Sequence, residues 1–323
     1  MSQQGVRPVP QRSVDVNGIE MHVVEEGSGP PVIFAHGFPE LAYSWRHQIG
    51  AVAAAGYRAI APDQRGYGRT SAPEGIDRYD ILHLTGDLIA LLDELGEEKA
   101  VFVGHDWGSS VVWQTALLHP DRVAGVCGMS VPFTPRAQRP PTELWRAATG
   151  DSFFYILYFQ EPGVADAELD ADPARTMRRL LGGTRTERGA GEILRGADDG
   201  RGFIDRFPEP RELPSWLEPA ELEHYVEEFR RTGFTGGLNW YRNVDRNWEL
   251  TPQLAGAHVT VPSFFIGGQL DPVLVLTSPG KQDEWLDDHR GTVIVDGAGH
   301  WVQQEAADQV NRVLLGFLDS ITP

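Results

Sequence analysis

The stretch AVFVGHDWGSSVVWQTALL, residues 100–118, decides how the chain is read. Ala100–Val103 is short and wholly apolar, the composition of a strand buried on both faces. From Ser109 to Leu118 the apolar residues resume at helical spacing. Between them, Gly104-His105-Asp106-Trp107-Gly108 must turn strand into helix. A glycine at each end suits a bend so sharp that a larger side chain would strike neighbouring backbone. This is the G-x-nucleophile-x-G pattern, with Asp where esterases carry Ser, and it exposes the side chain at the C-terminal edge of a sheet. The positive end of the following helix favours an ionised carboxylate there. An Asp106 that merely caps the helix is the plainer reading, but capping does not call for two glycines.

Working outward, the same alternation continues. Arg12–Val16 and Glu20–Glu25 flank Asn17-Gly18 as a hairpin. Pro31–Ala35 is a compact strand running into the turn HGFPE, residues 36–40. Trp45–Ala55 reads as a helix stopped by Gly56, and Tyr57–Ala61 as a strand. Tyr79–Leu95 is a long helix with a broad apolar face, and Arg122–Met129 is the next strand. Short apolar strands alternating with amphipathic helices predict an α/β fold, a mostly parallel sheet covered on both faces.

After Pro132 the alternation fails. Proline-rich breaks separate helical stretches at Leu144–Phe159, Pro173–Leu181 and Pro219–Thr232, the last two opening with the proline that a first helical turn accepts. Strands return at Val259–Ile266 and Thr292–Val295, followed by a helix over Ala307–Leu318. The expected organisation is one core in two parts, residues 1–131 and 249–323, interrupted by a helical cap over residues 132–248. The chain shows no internal repeat and no low-complexity tract.

An Asp nucleophile restricts the chemistry. Attack on an ester carbonyl would give an anhydride, whereas attack on a saturated carbon gives an alkyl ester that water can cleave. The substrate therefore carries its leaving group on an sp³ carbon, as an epoxide or a halide does. Ester cleavage needs a base, and His300 follows the strand Thr292–Val295 in DGAGHW. Asp271, in GGQLDP, is its expected partner, fixing the tautomer and stabilising the protonated ring. The chain order nucleophile, acid, histidine suits this arrangement. Asp271 could instead be a plain turn residue before Pro272, and Asp296 is an alternative partner. The backbone amides of Phe38 and Trp107 are placed to receive the oxyanion of ester cleavage. Pro39 raises the question of a cis bond, which sequence leaves open.

These motifs resemble the soluble epoxide hydrolases of the α/β-hydrolase superfamily. The resemblance covers nearly the whole chain: HGFPE at 36–40, DQRGYG at 63–68, GHDWGS at 104–109, YFQEPG at 158–163, NWYRN at 239–243, and the late GGQLDPV and GAGHWVQQE segments. It implies an Asp106 nucleophile, an Asp271–His300 pair, and oxyanion amides at Phe38 and Trp107. It further implies two cap tyrosines, Tyr155 and Tyr241, as donors to the epoxide oxygen, with Tyr158 the competitor for the first. Opening an epoxide creates an alkoxide, and a neutral phenol can stabilise and protonate it. The activity implied is hydrolysis of an epoxide to a vicinal diol through an ester on Asp106. No cofactor and no metal is called for: the Asp63–Gly68 loop lacks phosphate-loop spacing, and His36, His105 and His119 form no recognisable zinc set.

Three rival readings remain. A haloalkane dehalogenase would share the Asp nucleophile but needs halide donors rather than phenols, and Phe38 stands where that family often has Asn. Fluoroacetate dehalogenases share HGFP but carry Arg at the position of Trp107. A non-catalytic ligand-binding protein on the same fold is the third. An esterase is disfavoured because Ser109 and Ser110 fall beyond the turn.

A net charge of −18 disfavours nucleic acid and anionic membranes as partners. The single cysteine, Cys127, lies in an apolar run and reads as a buried structural residue. No segment is long and apolar enough to span a bilayer, and residues 1–14 carry no signal-peptide pattern, so a cytoplasmic location is expected. The expected partners are a small apolar epoxide and water. The physiological epoxide, detoxification against lipid processing, and a homodimer through the cap surface are left open.

Overall fold

The computed structural model describes residues 9–183, 190–277 and 279–321. Residues 1–8, on which the signal-peptide reading partly rests, lie outside the described residues. The first half runs β1 (Gln11–Val16), β2 (Ile19–Gly27), β3 (Pro31–Ala35), α1 (Arg46–Ala54), β4 (Arg58–Pro62), α2 (Ile81–Glu94), β5 (Ala100–His105), α3 (Trp107–Leu118) and β6 (Val123–Met129). Then come α4 (Pro141–Thr149), β7 (Phe153–Phe154), α5 (Tyr155–Tyr158), α6 (Val164–Asp170), α7 (Pro173–Gly183), α8 (Ala190–Leu194), β8 (Arg195–Gly196), α9 (Pro219–Thr232), α10 (Thr235–Arg242) and α11 (Val244–Leu250). The chain closes with β9 (Val259–Gly268), α12 (Pro272–Leu276), β10 (Leu286–Val295), α13 (Val302–Glu305) and α14 (Ala307–Ile321).

The main sheet has the order β1-β2-β4-β3-β5-β6-β9-β10, with β2 antiparallel to both neighbours and every pair from β4 to β10 parallel. Alternating side chains feed two cores. Ile33 and Phe102 join one face, and Val32, Phe34, Val101 and Val103 the other, so the central strands are apolar throughout. Cys127 is buried in β6, and burial pushes its thiol well above the ordinary range, as a structural role requires. Among the described residues, no helix is long and apolar enough to cross a membrane.

All of the helices from α4 to α11 fall between β6 and β9, which are neighbours in the sheet. They are tied by specific contacts to the loops beyond β4 and β10 and to the start of α1. Trp240 Nε1 donates to the Arg65 carbonyl at 3.2 Å, Trp301 Nε1 to the Leu180 carbonyl at 3.1 Å, and Arg46 Nε to Glu221 at 2.6 Å.

Several boundaries differ from the sequence expectation. Leu144–Phe159 is not one helix: Gly150, at φ 54°, ends α4, and Phe153–Phe154 pairs with Arg195–Gly196 before α5 begins at Tyr155. The long helix starts at Ile81 because Asp80 caps it, accepting the His83 amide at 3.1 Å. β10 begins at Leu286, six residues before the expected Thr292, through a charged segment whose register against β9 is twice shifted.

Candidate active site

Asp106 sits directly after β5 with φ 53° and ψ −120°, a backbone conformation that non-glycine residues rarely adopt. Its neighbours make the bend feasible. A Cβ on Gly104 would lie 2.2 Å from the Gly108 carbonyl oxygen, and one on Gly108 2.0 Å from that of Ala35. Gly37 is equally constrained, since a Cβ there would lie 2.4 Å from Asp106 Oδ1. Asp106 precedes the first residue of α3 but makes no side-chain capping bond, so the plainer reading of it as a cap fails.

The carboxylate faces elsewhere. Asp106 Oδ1 accepts the Phe38 amide at 2.8 Å, and the Trp107 amide also stabilises the anion. Burial is the largest influence and raises the carboxyl above its ordinary value; His300, His105 and the two amides oppose it without cancelling it. The Phe38–Pro39 peptide is cis.

His300 stands on the loop beyond β10, and its Nδ1 lies 3.0 and 3.2 Å from the two oxygens of Asp271, beyond β9. A carboxylate only accepts, so Nδ1 carries a proton and Nε2 is left facing Asp106, 3.6 Å from Oδ2. Asp271 also accepts the Val273 amide at 2.8 Å, which fixes its orientation. Burial works against a charged His300 ring, but Asp271, Asp106 and Glu40 outweigh it and raise its pKa to about 9. The alternative partner Asp296 is exposed.

Tyr155 and Tyr241 line, with Asp106 and Trp107, a cavity of about 860 Å³ beneath the inserted helices. Their ring centroids lie 5.9 Å apart, and Tyr241 packs edge-on against Trp107 at 5.1 Å and Phe38 at 5.5 Å. Burial and the Asp106 carboxylate raise both phenols far above their ordinary value, so both are neutral donors. Tyr158 is elsewhere: its hydroxyl donates to Glu168 at 2.9 Å. The two phenol-bearing segments are stitched together, because Gln160 Nε2 donates to the carbonyls of Ile156 and Tyr241, at 2.9 Å each. Arg242 Nε adds a bond to the Phe159 carbonyl at 3.1 Å.

The structure also gives weight to Glu40, which sequence reasoning passed over, and to His105, which it set aside only as no part of a zinc set. Glu40, fully buried, accepts the Gly37 amide at 2.9 Å, His105 Nδ1 at 2.6 Å and Gln303 Nε2 at 2.9 Å. Burial alone would raise its carboxyl, but His105, His36 and the Gly37 amide hold it down at about 2. On the other side of the ring, His105 Nε2 donates to the His300 carbonyl at 2.7 Å. Through its two ring nitrogens His105 links the HGFPE turn to the loop carrying His300. The available signal was an acidic residue closing that turn, charged where the surrounding strand ends are apolar.

The model of the alpha/beta hydrolase fold matches residues 30–307. The chain is 58% identical over 314 residues to "Epoxide hydrolase A" of Mycobacterium tuberculosis, covering 96% of this chain and 98% of that protein. It is 43% identical to an "Epoxide hydrolase" of Caballeronia sordidicola, over 97% of this chain and 94% of the relative. Among solved structures, Epoxide Hydrolase A from Mycobacterium thermoresistibile superposes with a TM-score of 0.93 at 58% identity, covering 97% of this chain and 98% of that one. An epoxide hydrolase from an endophytic Streptomyces gives 0.94 at 43% identity, covering 98% and 97%.

Proposed function

The chain belongs to the epoxide hydrolases of the α/β-hydrolase superfamily and hydrolyses epoxides, and from that premise we propose how its residues divide the work. Asp106 attacks a ring carbon of the epoxide with the oxygen that Phe38 does not hold. The carbon–oxygen bond breaks, and Tyr155 and Tyr241 stabilise the departing alkoxide and supply its proton. The product of this step is an alkyl ester on Asp106.

Ester formation abolishes the Asp106 charge, one of the three carboxylates that raise His300. The ring then yields its proton, which restores the phenol, and neutral Nε2 becomes the base that deprotonates water. Water attacks the ester carbonyl, the Phe38 and Trp107 amides hold the oxyanion, and collapse releases the diol and the carboxylate. The substrate is an apolar epoxide, in keeping with a cavity walled by Phe133, Trp145, Phe154, Ile156 and Val244. In this scheme residues 132–248 act as the cap that closes the site.

The observation carrying this reading is that Asp106 shares one cavity with two neutral phenols while His300 Nε2 waits 3.6 Å from its carboxylate. A dehalogenase has no use for the phenols. The test is intact-mass measurement after one turnover with an epoxide. Replacing His300 by Gln should leave Asp106 carrying the added mass of the epoxide, while Asp106→Ala should carry none. An unmodified His300→Gln protein that still releases no diol would overturn the covalent route.

A further inference from the structure

The space around the reacting groups is divided into two unequal lobes. Asp106, Tyr155 and Tyr241 line the large one of about 860 Å³, and the same three residues line a second of about 40 Å³. The large lobe shares Trp107, Ser110 and Trp145 with a further space of about 460 Å³, so a long substituent has somewhere to go on that side. On the side of the inserted segment the small lobe is lined by Leu180, Leu194, Phe203 and Phe207. Phe203 is stacked on Tyr155 at 5.7 Å and packs on Phe207 at 5.0 Å, so this wall is supported from behind. His300 and Phe38 lie on the small lobe and do not line the large one.

That division assigns the two reactants of the second step to different places. The water that cleaves the ester must touch His300 and reach the Asp106 carbonyl, which only the small lobe allows among the described cavities. By the same measure one water needs about 10–15 Å³, so the lobe has room for a few waters but not for waters beside a long alkyl arm. An oxirane seated against Asp106 and both phenols lies at the junction, and any alkyl arm entering the small lobe would displace the water.

Building on the proposed function, we propose that the substrate class is oxiranes substituted on one ring carbon only, terminal or geminally disubstituted. The arm lies in the large lobe, and the small lobe is kept for water. Leu180 and Phe207 are the residues that set this preference, by limiting the volume beside His300.

The test compares a terminal octene oxide with an internal trans-octene oxide of the same carbon count. kcat/KM should favour the terminal isomer by at least about 50-fold, since a single misplaced methylene is already worth about 10–200-fold. The ester formed by the internal isomer should persist longer, because its arm excludes the water. Leu180→Ala and, separately, Phe207→Leu should narrow the ratio by roughly tenfold. A ratio measured within one variant is independent of how much of that variant folds. A wild-type ratio within threefold, or a ratio unchanged in both variants, overturns the lobe assignment. Diol from neither isomer would overturn the reaction assignment itself.

Discussion

His300 Nε2 lies 3.6 Å from Asp106 Oδ2, too far for a hydrogen bond yet close enough for each charge to govern the other. The two side chains are thus coupled electrostatically, and in the proposed mechanism a change of charge on Asp106 resets His300. Asp271 on the opposite side of the ring keeps Nε2 pointed at the carboxylate throughout.

The coupling is measurable without substrate. NMR titration of His300 should give a pKa of about 9 in the wild-type protein. Asp106→Asn keeps the shape and removes the charge, so the His300 value should fall; an unchanged value would break the proposed hand-over between the two steps.

Tyr155→Phe and Tyr241→Phe should each slow ester formation by about 10²-fold, and together by more, because loss of a positioned acid is worth about 10²–10⁴. Rapid-quench detection of the ester isolates this step. The rate of ester cleavage should change less in either single variant, since one phenol remains to take the His300 proton.

Removing the Glu40 carboxylate should leave His105 Nδ1 and the Gly37 amide unpaired in the interior. Breaking such a buried pair costs about 3–5 kcal/mol, and Glu40→Leu should show it in urea unfolding. Its pH dependence has a definite sign. The Glu40 carboxyl is lowered from 4.5 to about 2, so its stabilisation is fully present above 4.5 and is lost as pH falls through about 2. Wild type and variant should therefore converge in stability towards strong acid.

Asp106 is held in a glycine-like conformation, with its carboxyl raised by burial, and both features oppose folding at neutral pH. Such backbone strain costs about 1–3 kcal/mol, offset by about 0.5–1 kcal/mol of extra chain entropy for glycine. Asp106→Gly should be inactive yet unfold at a urea concentration no lower than wild type. A clearly less stable variant would mean that the interactions lost with the carboxylate, the Phe38 amide bond above all, outweigh the strain relieved.

The core of the molecule was legible because its signals are local. Gly104 and Gly108 bracket Asp106, and the loops carrying Asp271 and His300 each follow an apolar strand end. Asp271 and His300 could be paired from chain order because parallel strands deliver all such loops to one edge. The segment inserted between β6 and β9 was legible only in outline. The helical spacing of Leu144–Phe159 hides the break at Gly150, since Phe153 and Phe154 are buried equally well in an extended segment. Glu40 escaped notice because its partners, His105 and Gln303, are remote in sequence. The choice of Tyr155 over Tyr158 rested on family resemblance; in the structure Tyr155 lines the cavity with Asp106, while the Tyr158 hydroxyl is donated to Glu168.

Because β6 and β9 lie side by side, the polypeptide between them departs and returns at a single place on the scaffold. Such a segment is exchangeable in principle like a cartridge. A swap between homologues would change which molecules are admitted and where the phenols stand, while Asp106, Asp271 and His300 stay on the retained framework. Diversification of this lineage can therefore proceed by remodelling one insert, without renegotiating the machinery it covers.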